Sequence, residues 1–547
     1  MTSHYISDGA DGATFLWSYW HIPHALLHGH DPFNTSDMFW PVGVRLGFHT
    51  TTPLEAMVVW VLAKVFGSVL AVNVVNLGAV VLTGLCAFVL ARHECHDDRA
   101  AFVAGAAFML MPQHAGRISG HWNLNHAWVL PLGLWLLLRL YDRATWWRAI
   151  AVGVMAGAIF LTDLTYFVFW LGAAVVIAAW RYRETLRLWP RLAVGAVVAG
   201  MVSAPVLLAM VADLRADELD RLPQWGGAQE HSSDLLGFFV PSTAHPLWGG
   251  LFRSVKGTVF GLEEYPWVGL FVLALVIVGA LRRRRLGMAF GAWPLLAAGS
   301  MLLALGPFLH ANGWTGKTFE RFGDRFSVPL PFFFFHTVPV LSGLRIPGRF
   351  SIVGGLALIV MASMVGARLL RGRPARWQWG AAAVALVVIV VELLPTPNVP
   401  LQSLRVPAAY AAVRGPGAVL EIPLFWRDGF GQVGDTTNDD LFLYYATKHK
   451  HPMVNGMIAR LPVKRRAALY GIPVYRQLLA LQHQVGFTDP PTFTATDLQG
   501  LDIGFVVYHR SRPMPDALAY VEGLGLEQVA DDGDTVVWRV GGSRASG

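Results

Sequence analysis

The stretch WWRAIAVGVMAGAIFLTDLTYFVFWLGAAVVIAAWRYRETLRLWPRLAVGAVVAGMVSAPVLLAMVADLR, residues 146–215, decides the fold class. It holds three apolar cores, 149–162, 164–180 and 192–212. The first two are separated only by Asp163, the second and third by a short run containing Arg181, Arg183, Arg187 and Arg191. A helix crosses the hydrocarbon of a bilayer in about 20 residues. The third core reaches that length alone, and the others reach it when flanking Trp, Tyr and Arg side chains extend to the interface. Further cores of the same kind lie at 69–91, 100–112 and 124–138 before this stretch, and at 267–281, 286–309, 350–367 and 377–391 after it. Composition agrees. The 547 residues are 54% hydrophobic and 14% charged, with 21 Trp and 32 Phe, against about 25% charged in soluble domains. A polytopic, mostly helical membrane protein of about ten spans is expected; collagen-like, disordered and disulfide-rich classes drop out. Cys86 and Cys95 provide no disulfide framework and no C-x-x-C metal motif.

The net charge of +7 does not point to nucleic acid, because the arginines occupy short loops between apolar cores. Arg92 and Arg99, then Arg139, Arg143 and Arg148, then the group at 181–191, then Arg282 to Arg285, then Arg368, Arg371, Arg373 and Arg376 fall on one side of the threading. The long loop 213–264 on the other side holds Arg215, Arg221, Arg253 and Lys256. By the positive-inside rule both chain ends are then external. The first ten residues have no basic-then-apolar signal-peptide pattern. After the last core, PTPNVP (395–400) reads as a stiff linker. AVLEIPLF (418–425), IGFVVYH (503–509) and TVVWRV (535–540) read as strands, and 464–482 and 513–524 carry helical patterning. The expected organisation is an external loop with interfacial helices over 1–68, a transmembrane domain over 69–394 with external loops 213–264 and 309–349, and an external α/β domain over 395–547. No internal repeat, phosphate-binding P-loop or strand-led GxGxxG is present, so nucleotide binding by those means is unsupported.

External polar residues concentrate near the N-terminus. Asp8, Asp11, Asp31 and Asp37 lie there with His4, His21, His24, His28, His30 and His49. Residues 13–28 have helical potential, with Phe15, Leu16, Trp20, Ile22 and Leu26 available for an interfacial apolar face. His21, His24 and His28 share that helix's face, with His30 and Asp31 just beyond. This is a possible divalent-metal set or simply a polar face toward headgroups; no cofactor is otherwise called for. The run PLPFFFFHTVPVL (329–341) is Pro-broken and too short to span, and is expected to be re-entrant or interfacial.

With HGHDPFNTSDMFWPVGVRL (28–46), GHWNLNHAWVLPL (120–132), SSDLLGFFVPSTAHPLWG (232–249) and LSGLRIPGRF (341–350), the chain resembles the GT-C superfamily. These are integral-membrane glycosyltransferases that use polyprenyl-phosphate sugars. More closely, it resembles bacterial membrane proteins of that type. The resemblance runs over nearly the whole chain. It implies a multi-pass protein of the bacterial cytoplasmic membrane that transfers a sugar, at the external face, from a polyprenyl-phosphate donor to an envelope glycan, lipid or protein. Its partners would be that donor, the bilayer and an acceptor, with no nucleic acid. The family carries a helix before the acidic motif, an eleventh that the sequence given lacks.

A carboxylate in the first external loop would then take the acceptor's proton. That position is Asp11, with Asp8 as alternate or support; the bland reading is that DGADG is an ordinary turn. Arg345 and Arg349, at the outer end of the ninth core, would grip the donor phosphate, or are interfacial arginines. Arg117, His114 and His121 occupy the outer loop between the second and third cores. Asp163 is an acid between two apolar cores, or the mark of an outer turn. Glu263 and Glu264 open the seventh core. Two other functions stay open: a non-catalytic envelope-assembly scaffold on the same fold, and a transporter of lipid-linked material. The scarcity of charge at span centres and the lack of a repeat disfavour the second of these.

Overall fold

The computed structural model describes residues 4–7, 11–216, 227–243, 245–252, 254, 265–312, 314–315, 319–321, 324–326, 329–338, 341–394, 400–435 and 440–541. The first helices are α1 (Gly12–Leu27), α2 (Pro53–Phe66), α3 (Ser68–Cys95) and α4 (Asp98–Met109). Two short helices follow, α5 (Pro112–Arg117) and α6 (Trp122–Asn125). Then come α7 (Val129–Asp142), α8 (Trp146–Thr162), α9 (Leu164–Trp180) and α10 (Tyr182–Arg215). The remaining apolar helices are α11 (Leu270–Arg282), α12 (Trp293–Ala304), α13 (Ser351–Leu370) and α14 (Ala375–Leu393). Local chemistry fixes several boundaries. Asp97 accepts from the Arg99 and Ala100 amides at the start of α4, and Thr145 from Arg148 at the start of α8. Such caps satisfy amides that the helix itself leaves without partners.

Each apolar core read from the sequence coincides with helix, and the protein is a polytopic, mostly α membrane protein with an α/β C-terminal part. Among the described residues four helical stretches are long and apolar enough to cross a bilayer: Ser68–Cys95, Tyr182–Arg215, Pro347–Leu370 and Ala375–Leu393. Trp146–Thr162, Leu164–Trp180, Leu270–Arg282 and Trp293–Ala304 are shorter apolar helices. Three details differ from expectation. The core expected at 286–309 is helical only over Trp293–Ala304. The one expected at 124–138 starts late, because α6 intervenes before α7. The run at 329–341 forms a 3-10 helix over Pro331–Thr337.

The chain divides into two compact units. One comprises Val74–Ser203 and Arg221–Pro400. In it α13 packs against α4, α11 and α12, and α7, α8 and α9 pack on one another. Close approach relies on small residues: a Cβ on Gly153 of α8 would sit 2.3 Å from the Gly195 carbonyl oxygen, and one on Gly157 2.5 Å from Val202. This is how helices gain dispersion contact where lipid removes the hydrophobic drive.

The other unit comprises Met1–Asn73, Ala204–Asp220 and Leu401–Gly547. Strands β1 (His4–Ile6) and β2 (Leu401–Ser403) pair antiparallel. A four-stranded sheet is built from β3 (Ala418–Ile422), β4 (Ile503–His509), β5 (Glu527–Asp531) and β6 (Thr535–Arg539), in the order β5-β6-β4-β3. Every residue of β4 is buried, as a central strand requires. Helices α15 (Asp440–His449), α16 (Val463–Tyr470), α17 (Pro473–Leu481), α18 (Ala495–Gly500) and α19 (Pro515–Gly523) complete this part.

The segments expected as an N-terminal loop and a separate C-terminal domain thus contribute to one unit. Residues 37–49 are laced into the C-terminal sequence: Trp40 Nε1 donates to the Leu501 carbonyl (2.7 Å), Tyr475 Oη to that of Trp40 (2.9 Å), and the Met453 amide to that of Asp37 (3.0 Å). Phe39 is fully buried, and a Cβ on Gly456 would lie 2.6 Å from its ring. The Ala459 amide donates to His49 Nδ1 (3.0 Å), and burial holds His49 down at about 4. Helix α1 also departs from the interfacial picture. From Gly12 to Tyr19 every residue is buried, with α1 packed on α2 and α15, and only its last turn exposes Leu26 and Leu27. Helix α2, not expected from the sequence, buries Glu55, Ala56 and Val59 and leaves Val61 and Val65 exposed.

Candidate functional site

Within the helical unit, the α4–α7 connection is a polar segment folded inward. Pro112 begins α5 where its missing amide costs nothing, and Trp122, fully buried, anchors α6. Between and beside them Gln113, His114, Arg117, Asn123 and Asn125 are all buried. Arg117 is fully buried. Its Nη1 donates to the Tyr166 hydroxyl (3.2 Å), which donates in turn to the Leu124 carbonyl. Asn123 Nδ2 donates to Asp163 Oδ2 (2.6 Å). The other oxygen, Asp163 Oδ1, accepts from the Thr165 and Tyr166 amides and so caps α9. Gln113 Nε2 donates to the Tyr265 carbonyl (3.1 Å) and to Ser351 Oγ at the head of α13. Phe350 lies against Phe169 of α9, ring centroids 4.5 Å apart.

This network leaves polar atoms without a protein partner: Arg117 Nε and Nη2, both ring nitrogens of His114, Gln113 Oε1, Asn123 Oδ1, Asn125 Oδ1, Thr162 Oγ1 and Trp170 Nε1. No ion pair joins Arg117 to a described carboxylate. A buried guanidinium with two idle N–H groups is costly, and the two groups form one edge of the planar fork that fits a phosphate or carboxylate. Burial, and then the Arg117 charge, push His114 down to about 3. His114 therefore stays neutral beside the arginine and adds no competing cation.

Of the residues singled out from sequence, Arg117 and Asp163 are brought into one network. Arg349 stands two residues before Ser351 in the turn Pro347–Phe350, and Arg345 just before that turn; both are half-buried. His121, partly exposed, occupies the position before α6. Glu263, Glu264 and Asp8 lie outside the described residues. Asp11 belongs to the other unit. There it heads α1, its carbonyl accepting from the Thr14 and Phe15 amides and its side chain making no cap bond. The histidines proposed as a metal set do not converge. His21 is bound to Asp37 (2.9 Å), and His28 Nδ1 contacts the His24 carbonyl oxygen (2.7 Å). Among the described residues no group of three His, Cys, Asp or Glu side chains gathers as a metal site. Sequence reasoning missed Tyr166, Asn123 and Gln113. The signal available was the polar NLN inside the otherwise apolar 120–132 stretch, and a tyrosine three residues after Asp163.

A family model described as a domain of unknown function, DUF6311, matches residues 13–394. The chain belongs to the DUF6311 family. This DUF6311 protein is also similar to the Archaeoglobus fulgidus oligosaccharyltransferase solved with zinc and sulfate, with a TM-score of 0.44 at 13% identity over 90% of this chain and 63% of that one. It spans less than two thirds of that enzyme's length. It is similar to ArnT from Cupriavidus metallidurans bound to undecaprenyl phosphate, with a TM-score of 0.38 at 14% identity over 98% of this chain and 94% of that one. No curated protein matches it by sequence.

Proposed function

We propose that this DUF6311 protein is a membrane glycosyltransferase of the GT-C type, transferring a sugar from a polyprenyl-phosphate donor to an envelope glycan, lipid or protein acceptor at the external face of the bacterial cytoplasmic membrane. The observation that carries the reading is the buried Arg117 guanidinium, with Nε and Nη2 unpartnered in a nest of polar side chains inside an apolar helical unit. A membrane protein retains such a group where an anion arrives to meet it. The sequence motifs that resemble GT-C enzymes name that anion as the donor's phosphate.

In this reading the bond between the anomeric carbon and the phosphate oxygen breaks, and its electron pair leaves on the phosphate. Arg117 stabilises the charge that develops there. The acceptor oxygen bonds to the anomeric carbon and its proton passes to a carboxylate, a role that the sequence resemblance gives to Asp11, with Asp8 as alternate or support. Arg349 and Arg345 assist on the phosphate, and His121, Glu263 and Glu264 are further substrate-binding candidates from the sequence resemblance. Asp163 acts by positioning Asn123 and the start of α9. The arginine-rich loops keep the cytoplasmic side.

The test uses the full chain in lipid nanodiscs, with a panel of polyprenyl-phosphate sugars and candidate acceptors. Saturable donor binding that Arg117→Met abolishes and Asp11→Asn spares, with turnover lost in both, supports the enzyme. Donor binding without turnover on any acceptor moves the reading to a non-catalytic scaffold.

A further inference from the structure

Helices α4, α11, α13 and α14 leave a groove of about 200 Å³ between them. It runs along α4 from Arg99 to Ala107, about 12 Å at 1.5 Å per residue. The hydrocarbon of one leaflet is about 15 Å deep, half of the bilayer's 30 Å, so the groove spans most of one leaflet. Small residues make the space: Ala104 on α4, Gly366 on α13 and Ala385 on α14 line it without filling it. Among the described residues lining it, only Arg99 and Ser363 are polar, and the Ser363 hydroxyl already donates to the Val360 carbonyl (2.7 Å). Water finds no partners in such a space, and an apolar cavity of about 150 Å³ already takes a benzene ring. The groove therefore calls for hydrocarbon.

Charge gathers at the Arg99 end. Arg99 also lines a second, polar recess of about 590 Å³, with Arg92, His96, Asp97, Asp98 and Trp379. Its guanidinium lies 5.1 Å from the Trp379 ring centre, and Nη1 donates to Asp97 Oδ2 (3.3 Å) and to Gln378 Oε1. Gln378 Nε2 donates in turn to the Arg373 carbonyl (2.7 Å), which ties the α13–α14 connection to the recess. Both carboxylates of the recess are engaged, Asp97 by Arg99 and the α4 amides, Asp98 by Arg92 (2.5 Å). The surplus positive charge comes from Arg368, Arg371, Arg373 and Arg376, all exposed and none paired with a described carboxylate. A hydrocarbon groove that ends at a polar recess with surplus arginines matches the two halves of an anionic lipid. A zwitterionic lipid brings its own cation, and a soluble anion leaves the groove unused.

We infer that this is a site for an anionic glycerophospholipid: one acyl chain lies in the groove, and the phosphate sits in the recess against Arg99 and the arginines of the α13–α14 connection. Basic pockets between spanning helices hold anionic head groups in this way, and the arginine fork matches a phosphate. The site is at the start of α4, whereas the Arg117 network lies beyond that helix's end and contributes no residue to the groove. The lipid here is therefore distinct from the proposed sugar donor, and the inference stands apart from the glycosyltransferase reading.

The test is native mass spectrometry of the full chain in detergent, offered phosphatidylglycerol and phosphatidylcholine with the same acyl chains in equal amounts. The wild type retains one phosphatidylglycerol with a preference of about 10-fold or more, the value of one charge-assisted hydrogen bond. Arg99→Gln loses that preference. Ala385→Leu, which fills the groove and leaves every charge in place, retains neither lipid. In lipid-free detergent the thermal midpoint of Ala385→Leu equals or exceeds that of the wild type, because the added side chain occupies empty space. Four results overturn the proposal: the wild type holds both lipids alike or neither, Arg99→Gln keeps the preference, Ala385→Leu keeps the lipid, or Ala385→Leu lowers the lipid-free midpoint, which means there was no space to fill. Two more reassign the groove and so also overturn it. A polyprenyl phosphate added to the mixture displaces the phospholipid, or the wild type shows a dimer mass that Ala385→Leu abolishes.

Discussion

Replacing Arg117 by methionine separates function from fold. The side chain is fully buried, and its one hydrogen bond is to the Tyr166 hydroxyl. An apolar side chain of similar length removes a desolvated charge with no carboxylate partner, so the ligand-free protein keeps its stability or gains about 1–4 kcal/mol. The same change deletes the two idle donors, Nε and Nη2. At about 1.5–3 kcal/mol for each charge-assisted hydrogen bond, the phosphate ligand loses about 3–6 kcal/mol, roughly two to four orders of magnitude in Kd. Arg117→Lys, which keeps the charge but loses the fork, falls between. The assay is thermal unfolding in nanodiscs with and without a polyprenyl phosphate. At a ligand concentration 100 times the wild-type Kd, the wild type gains about 2.7 kcal/mol and Arg117→Met gains at most about 0.3 kcal/mol. The reasoning is refuted if Arg117→Met retains wild-type affinity, or if it destabilises the ligand-free protein by several kcal/mol.

Asp163→Ala, which removes the α9 cap and strands Asn123, should cost about 2–4 kcal/mol, while Asp163→Asn, which keeps the cap acceptor, should cost less than half of that in chemical unfolding. Gly456→Ala should lower stability by about 1–3 kcal/mol, because its methyl meets the Phe39 ring; if N-terminal and C-terminal sequence form one unit, the loss disappears in a Phe39→Ala background. Burial, with His451 adding to it, holds His449 down at about 3 against an ordinary 6.5. The unfolded chain therefore binds more protons between those values, and stability present above pH 6.5 is lost as pH falls below it, by about 2 kcal/mol at pH 5. His449→Gln should flatten that part of the stability–pH curve.

The membrane fold was readable because it is written locally. Apolar cores such as 164–180 and 350–367, and the arginines beside them, need no knowledge of distant sequence. Asp163 was visible for the same reason, as an acid between two apolar cores. The wiring around it was not. The partners of Arg117 and Asp163 come from α5, α6 and α9, and nothing in the NLN of α6 says which residue its amides will meet. The pairing of His4–Ile6 with Leu401–Ser403, and of Trp40 with Leu501, spans about four hundred residues; periodicity carries no information at that range. Helix α1 misled because Phe15, Leu16 and Ile22 are as consistent with a buried helix as with an interfacial one. Only packing on α2 and α15 separates the two.

The central claim is that Arg117 receives a lipid phosphate. Its most direct test is an experimentally determined structure of the full chain in nanodiscs with a polyprenyl phosphate. The account predicts phosphate oxygens about 2.7–2.9 Å from Arg117 Nε and Nη2. A phosphate bound elsewhere, with those two nitrogens facing protein groups instead, would contradict it.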